Sequence, residues 1–463
     1  MQTKSFSITT FIFIFLMITA TSCKSNKNQD DLSYLMDTIK IDKQLPDWAK
    51  AANIYEVNIR QYTPEGTFNA FTTHLPRLQK MGVDILWLMP VSPVGEMNRK
   101  GSLGSYYSIS DYTAVNPEFG TMEDFKTLVN EAHKLGMKII LDWVANHTAW
   151  DHVWMEQHKD WYTQDSTGNV IVPAGTDWYD TADLNYDKPE LRKAMIDALS
   201  FWVKEADIDG FRCDVAGMVP LTFWLHARKT IDEIKPGCFF LAEDSNPEIH
   251  QAFDMSYSWP LKDVINDIAK GKKNATDVVN LLSEESKKFG SNDLRMLFIT
   301  NHDENSWHKT EYERLGESAV DAFNTLIYVL PGMPLTYTGQ EEPMKKSLRF
   351  FDKDTVGFGQ YSRQELLSKL NTLKKDNPAL WNVGFGGTIQ FLKNSDPESI
   401  LCVLRQKDNN KVLSIFNLSG KEQSFTIDDP VSSGLKHNLG EKLIPAKDGR
   451  YTLKGWGYGV MVE

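Results

Sequence analysis

Cysteine is scarce: 4 in 463 residues, too few for a disulfide scaffold in so long a chain. Excess positive charge is missing too. Lys and Arg number 50 against 62 Asp and Glu, a formal net charge of −12. A nucleic-acid binder usually carries a basic face, so the charge balance suits a neutral partner such as a sugar better. Beyond the N-terminus no apolar run approaches the ~20 residues that span a bilayer. Internal repeats and low-complexity stretches are absent as well. What the chain does have is apolar and aromatic side chains, 41% and 11% of residues. That is enough for large buried cores and excludes a disordered chain. At roughly 100–200 residues per domain the length allows two to four domains, and a barrel can take ~250 by itself.

The first residues read as an address. Lys4 gives a positive start, and Phe6 to Ala20 is almost unbroken apolar or hydroxyl residues, the pattern of an export signal. It ends Ala20-Thr21-Ser22-Cys23, which resembles the lipobox of bacterial lipoproteins, with Ala20 where that motif usually has Leu. The resemblance implies a signal peptide over 1–22 and lipidation at Cys23. The protein would then be exported and lipid-anchored to the bacterial cell envelope, facing the periplasm or the cell surface. An ordinary secretory signal cut nearby, with Cys23 incidental, is the alternative. Removing residues 1–22 deletes one charge, Lys4, leaving −12 − 1 = −13. Residues 23–46 read as a tether, polar and aperiodic over 24–31. Cys213, Cys238 and Cys402 lack metal spacing and are assigned to the core.

From Trp48 onward, short apolar runs rich in β-branched residues alternate with longer amphipathic stretches. Strands are expected over 54–59, 83–89, 138–144, 208–214, 239–243, 253–256, 296–301 and 335–338. Helices are expected over 71–81, 122–135, 189–206, 221–234, 275–288, 319–330 and 364–375. Thr121 with Asp124 reads as a capping pair, Asp187 as a cap ahead of Pro189, and Gly136 and Gly290 as helix ends. Eight strands with helical crossovers fit a parallel (β/α)₈ barrel. An open doubly wound sheet would show a Gly-rich turn after its first strand, and none is present. The connection 145–187 is abnormally long and rich in Trp, Tyr, His and Asp. Such loops are usually functional, and this one leaves the strand end where barrels place active sites. After Asn377 short alternating runs separated by Gly, Asn and Asp turns read as an antiparallel β-sandwich.

Four expected strands finish on acids: Asp142 in L-D-W-V-A-N-H, Asp214 in D-G-F-R-C-D, Glu243 in F-L-A-E and Asp303 in F-I-T-N-H-D. A lone strand-end acid is usually a helix cap. Four at one rim, two with a His alongside, are hard to explain that way, because buried charge is costly unless paired or useful. Convergent carboxylates, one ionised and one protonated, are what glycoside hydrolysis needs.

In order and content these segments resemble the conserved regions of the α-amylase family of glycoside hydrolases, in an amylase or neopullulanase-like form. The resemblance implies a catalytic (β/α)₈ barrel over 47–376, a domain B over 145–187 after strand three, and a β-sandwich domain over 377–463. It implies a retaining enzyme with Asp214 as nucleophile, Glu243 as acid/base and Asp303 as transition-state stabiliser. Arg212 matches the family arginine beside the nucleophile, where a fixed cation is expected to keep Asp214 ionised. His147 and His302 match histidines that hydrogen-bond the sugar at the −1 subsite. Tyr107, rather than Tyr106, matches a tyrosine stacked on that sugar. Asp142 reads as a structural group. Cys213 replaces a usual aliphatic residue and is expected in the barrel wall. Asn146 matches a calcium ligand of many members, with Asp177, Asp180 and Asp183 available nearby; a structural Asn closing the loop is the other reading.

Aromatics are dense around the expected mouth: Trp143, Trp150, Trp154, Trp161, Tyr162, Trp178, Tyr179 and Trp307. About a third are expected to touch substrate, the rest to anchor loops. The implied reaction is cleavage of α-glucosidic, mainly α-1,4, bonds in starch-, maltodextrin- or pullulan-type α-glucans. Thr181–Asn185 looks intermediate between the oligo-1,6-glucosidase and neopullulanase-like forms of a family motif, so bond preference stays open. A transglycosylase would use the same residues. A non-catalytic surface glycan-binding protein would most simply have lost one of the three acids, and all three are intact.

Overall fold

A computed structural model describes residues 31–429 and 434–463. Eight parallel strands close into a barrel: Ile54–Val57, Ile85–Leu88, Lys138–Trp143, Gly210–Cys213, Phe239–Ala242, Met255–Tyr257, Leu294–Leu297 and Met333–Tyr337. Each pairs with its neighbours in chain order and the eighth closes on the first. This is the barrel, not the open sheet. The strands are buried on both faces, as parallel barrel strands must be. Ile54, Trp87, Ile140, Leu241 and Met296 belong to one core cluster, while Leu86, Leu128, Leu199 and Phe211 belong to another that includes the surrounding helices.

Differences from expectation have local causes. The seventh strand starts and stops earlier than 296–301, because Asn301 instead caps the helix His302–Trp307, its side chain accepting from Glu304 N at 2.8 Å. The sixth strand shifts from 253–256 to Met255–Tyr257. The helix expected over 71–81 is two, Phe68–Thr72 and Leu75–Met81, the second opening around Pro76. Helix Trp259–Ala269 was not expected, although Pro260 in its first turn is a start signal. Thr121 and Asp124 form a full capping box. Lys188, not Asp187, precedes Pro189 in the cap position and makes no side-chain capping bond. Gly136 is left-handed at φ +79°, whereas the helix Ala275–Lys288 ends in extended backbone at Phe289 rather than at a left-handed glycine.

The tether expected over 23–46 is too long. From Ser33 the chain is docked on the barrel helices: Leu35 is buried, its carbonyl accepts from Arg192 Nη1 at 2.7 Å, and Asp37 O accepts from His226 Nε2 at 2.9 Å. Leu32, Ile39 and Ile41 pack beside it, and these apolar residues were the available signal. In the excursion after strand three, His147–Ala149 pairs antiparallel with Thr181–Asp183. The C-terminal part is an antiparallel sheet of Thr388–Phe391, Ile400–Lys407, Asn410–Asn417, Tyr458–Val462 and Lys436–Gly440, with a separate pair, Gln423–Phe425 and Tyr451–Leu453. Apolar residues of both, such as Ile415, Phe425 and Leu453, share one core. Lys436–Gly440 escaped sequence reading because it is a polar, mostly exposed edge strand with a bulge between His437 and Leu439.

One glycine is dictated by the fold. Gly210 opens the fourth barrel strand at φ +154°, and a Cβ there would collide with the carbonyl oxygen of Phe239 on the fifth strand. The G of D-G-F-R-C-D therefore lets the strands bearing Asp214 and Glu243 approach. Among the described residues no helix is long and apolar enough to cross a membrane. Residues 1–22 and Cys23 lie outside the described residues.

Candidate active site

The acids cluster because the strand ladders continue one residue past the assigned strands. Asp214 N donates to Trp143 O at 2.9 Å, and Glu243 N to Cys213 O at 3.0 Å. The two carboxylates are thereby on adjacent strands of the same rim. Asp303, in the first turn of the Asn301-capped helix, joins them in a cavity of about 630 Å³. Tyr107, His147 and His302 line the same cavity.

Arg212 organises the floor. Its guanidinium is fully buried. Nη1 donates to Asp142 Oδ1 at 2.8 Å and to Asp214 Oδ1 at 3.0 Å, and Nε donates to Tyr257 OH at 3.0 Å. Nη2 lies 2.8 Å from Glu243 Oε2, an ion pair whose angle makes no hydrogen bond. Glu243 Oε2 also accepts from Val215 N at 2.9 Å, so both of these contacts fall on one oxygen and leave Oε1 for a proton. Asp142 receives Tyr107 OH and Trp87 Nε1 besides Arg212, each at 3.1 Å. Its oxygens are thus well supplied with donors, as suits a structural group.

Burial pushes Asp214 well above the ordinary carboxylate range; Arg212 opposes this, and Glu243, Asp142 and Asp303 add to it. Glu243 is likewise raised by burial, opposed by Arg212 and reinforced by Asp303. Arg212 acts on Asp214 in the expected sense, favouring the ionised form against burial and the neighbouring carboxylates. One guanidinium is shared by three carboxylates, so it offsets their burial without reversing it. The cluster holds on to a proton.

The two histidines are opposite in charge. His147 is fully buried and lowered to about 3 by burial, so its ring is neutral. His302 is raised to about 9: burial alone would lower it, but Asp303 and Glu56 outweigh that. Its Nδ1 donates to Glu56 Oε1 at 2.5 Å, while Nε2 lies 2.8 Å from Tyr107 OH and 3.3 Å from Asp303 Oδ2. Glu56, on the first strand, was missed from sequence. A single acid in I-Y-E-V carries no spacing signal, and its partner is 246 residues away.

Tyr107 faces the cavity, nearly parallel to Phe350 at 6.1 Å, whereas Tyr106 lies behind it with its OH donating to Asn58 Oδ1 at 3.1 Å. Cys213 is buried in the wall. Of the eight expected mouth aromatics, Trp178, Tyr179 and Trp307 line the cavity, while Trp143, Trp161 and Tyr162 are buried anchors. Phe350 and Phe351, from the loop after the eighth strand, complete the wall.

Among the described residues no three His, Cys, Asp or Glu side chains cluster to hold a cation. Asn146 turns its amide toward His147 Nδ1 at 3.3 Å and its carbonyl accepts from Leu184 N at 3.1 Å, the contacts of a residue closing the loop. Asp180 is already neutralised by Lys100 at 2.8 Å.

The α-amylase catalytic-domain profile matches residues 24–419. The chain belongs to the α-amylase family. It is thus an α-amylase-type glycoside hydrolase. A curated relative, α-amylase 3 of Dictyoglomus thermophilum, is 25% identical over 93% of this chain and 94% of its own. The crystal structure of an α-amylase from Lactobacillus plantarum superposes with TM-score 0.80 at 32% identity, covering 90% of this chain and 99% of that one. That of a maltogenic α-amylase from Thermotoga neapolitana also gives TM-score 0.80, at 30% identity over 89% and 98%.

Proposed function

We propose that this α-amylase family enzyme is a retaining hydrolase of α-glucosidic, mainly α-1,4, bonds in starch-, maltodextrin- or pullulan-type α-glucans. The observation that carries the reading is the single buried guanidinium held between Asp214 and Glu243 at the floor of an aromatic-walled cavity. Contact with two nitrogens of one planar group keeps the carboxylates close. Retention needs ~5–5.5 Å between them, against ~6.5–9.5 Å for inversion.

In the first step Glu243 gives the proton of Oε1 to the glycosidic oxygen while Asp214 attacks the anomeric carbon. The aglycone leaves with that proton and a glycosyl ester remains on Asp214. In the second step Glu243, now a base, takes a proton from water, whose oxygen attacks the same carbon and frees Asp214. Asp303 and cationic His302 face the sugar hydroxyls, His147 offers a neutral ring, and Tyr107 stacks on the apolar sugar face. A sugar hydroxyl in place of water would give transglycosylation by the same residues.

Incubating residues 24–463 with maltoheptaose, pullulan and panose tests this. Shorter α-glucosides, released first as the α-anomer, are expected. Longer products would assign transglycosylation, and binding without cleavage would sink the enzymatic reading. The leader and Cys23 support an exported, lipid-anchored enzyme of the cell envelope. Replacing Cys23→Ser then moves the activity from the membrane fraction to the soluble one; an unchanged distribution would contradict the anchor.

A further inference from the structure

Resting on the hydrolase reading, we propose that the cleft is closed on its glycone side, so that the enzyme takes α-glucan chains by their non-reducing end, with Lys100 as the residue that bars longer passage. The barrel gives the direction. Glu243 follows the fifth strand, and the strand order places the first strand across the barrel from it, flanked by the second and the eighth. An acid must reach the glycosidic oxygen, so the leaving portion departs on the fifth-strand side. The portion that stays with Asp214 extends toward the loops after the second and eighth strands.

Those loops are laced together. Lys100, from the loop after the second strand, places Nζ 2.8 Å from Asp180 Oδ1 and 4.3 Å from the Tyr179 ring centre, both in the excursion after strand three. Ser108 Oγ donates to Asp180 O at 2.8 Å. On the other flank Leu103 N donates to Phe351 O at 2.9 Å, and Ser102 N and Oγ donate to Asp352 Oδ1 at 2.9 and 2.6 Å. Gly101 is left-handed there at φ +63°, and a Cβ would meet the Phe351 backbone and side chain. Trp307 extends the wall against Phe350 at 5.1 Å.

The acid's side is built differently. There the residues after Asp214 and Glu243 border a second trough of about 320 Å³, lined by Gly217, Met218, Asp244 and Asn246, with Met218 43% exposed. A cleft walled by the loops after the second and eighth strands admits only a short glycone.

The test compares nitrophenyl maltoheptaoside with the same compound blocked by an ethylidene bridge on its non-reducing terminal glucose. The free form is expected to shorten stepwise from that end, yielding one short sugar, and the blocked form to react about 100-fold more slowly, the upper range for rejecting a misfit group in a pocket. Comparable rates on both would overturn the closed cleft while leaving hydrolysis intact. Inertness toward both would overturn the hydrolase reading and this inference with it. Lys100→Ala is expected to raise the blocked-to-free rate ratio about tenfold, and Asp180→Asn, which keeps the shape of the pair, to raise it less. An unchanged ratio in both variants would remove Lys100 from the role.

Discussion

Asp214→Asn is expected to lower turnover of maltoheptaose by about 10⁴-fold or more while leaving the protein at least as stable at neutral pH. The first half follows from chemistry: an amide of the same shape cannot form the glycosyl ester, and loss of a group acting in concert with others costs most of the enhancement. The second half follows from linkage. Asp214 is raised in the folded state by burial and by neighbouring carboxylates. Between its ordinary value and the raised one, the native protein binds more protons than the unfolded chain. Stability therefore falls as pH rises through that window, and the cost persists at neutral pH. Asparagine carries no such cost. Melting curves at pH 5 and pH 7.5 check this: the wild type should lose more stability between the two than the variant. Glu243→Gln should share the loss on maltoheptaose, about 10²–10⁴-fold, yet lose far less on a glucosyl fluoride, whose leaving group needs no proton. Equal losses on both would place the acid elsewhere.

Arg212→Leu should cost more in folding than any of the acid substitutions, about 3–5 kcal/mol at neutral pH, because it strands charges that were paired in the interior. The side chain is fully buried and touches Asp142, Asp214 and Glu243. Without it their carboxyls rise further, so the variant binds more protons in the folded state and its deficit grows as pH rises. Urea denaturation at pH 5 and pH 8 reads this directly, the larger difference from wild type expected at pH 8. Arg212→Lys keeps the charge without the planar fork; it should recover much of the stability and little of the activity. A deficit independent of pH would show that Arg212 acts by packing alone.

The site was legible where chemistry sits on strand ends. Asp142, Asp214, Glu243 and Asp303 each terminate an apolar run, and a barrel gathers the ends of all its strands at one rim. Glu56 was not legible, since its effect on His302 exists only once the barrel closes and the eighth strand alone separates the first from the seventh. Lys100, Phe350 and Phe351 were missed for a related reason: they sit in aperiodic loops whose partners come from other loops. The sharing of Arg212 was not legible either, because R-C-D shows one cation beside one acid, whereas in the fold Asp142 and Glu243 contact the same guanidinium. The fold was read well where helices are long and periodic, as at Pro189–Ala206 and Leu221–Ile234. It was read poorly where capping overrides strand propensity, at Asn301, and where an edge strand carries polar residues, at Lys436–Gly440.

The central claim is a covalent intermediate on Asp214. Trapping the enzyme with 5-fluoro-α-glucosyl fluoride, digesting it and mapping the adduct by mass spectrometry tests it most directly. The account predicts one glycosyl unit on the peptide containing Asp214, absent in Asp214→Asn. Turnover of maltoheptaose with inverted product and no adduct on that peptide would contradict it.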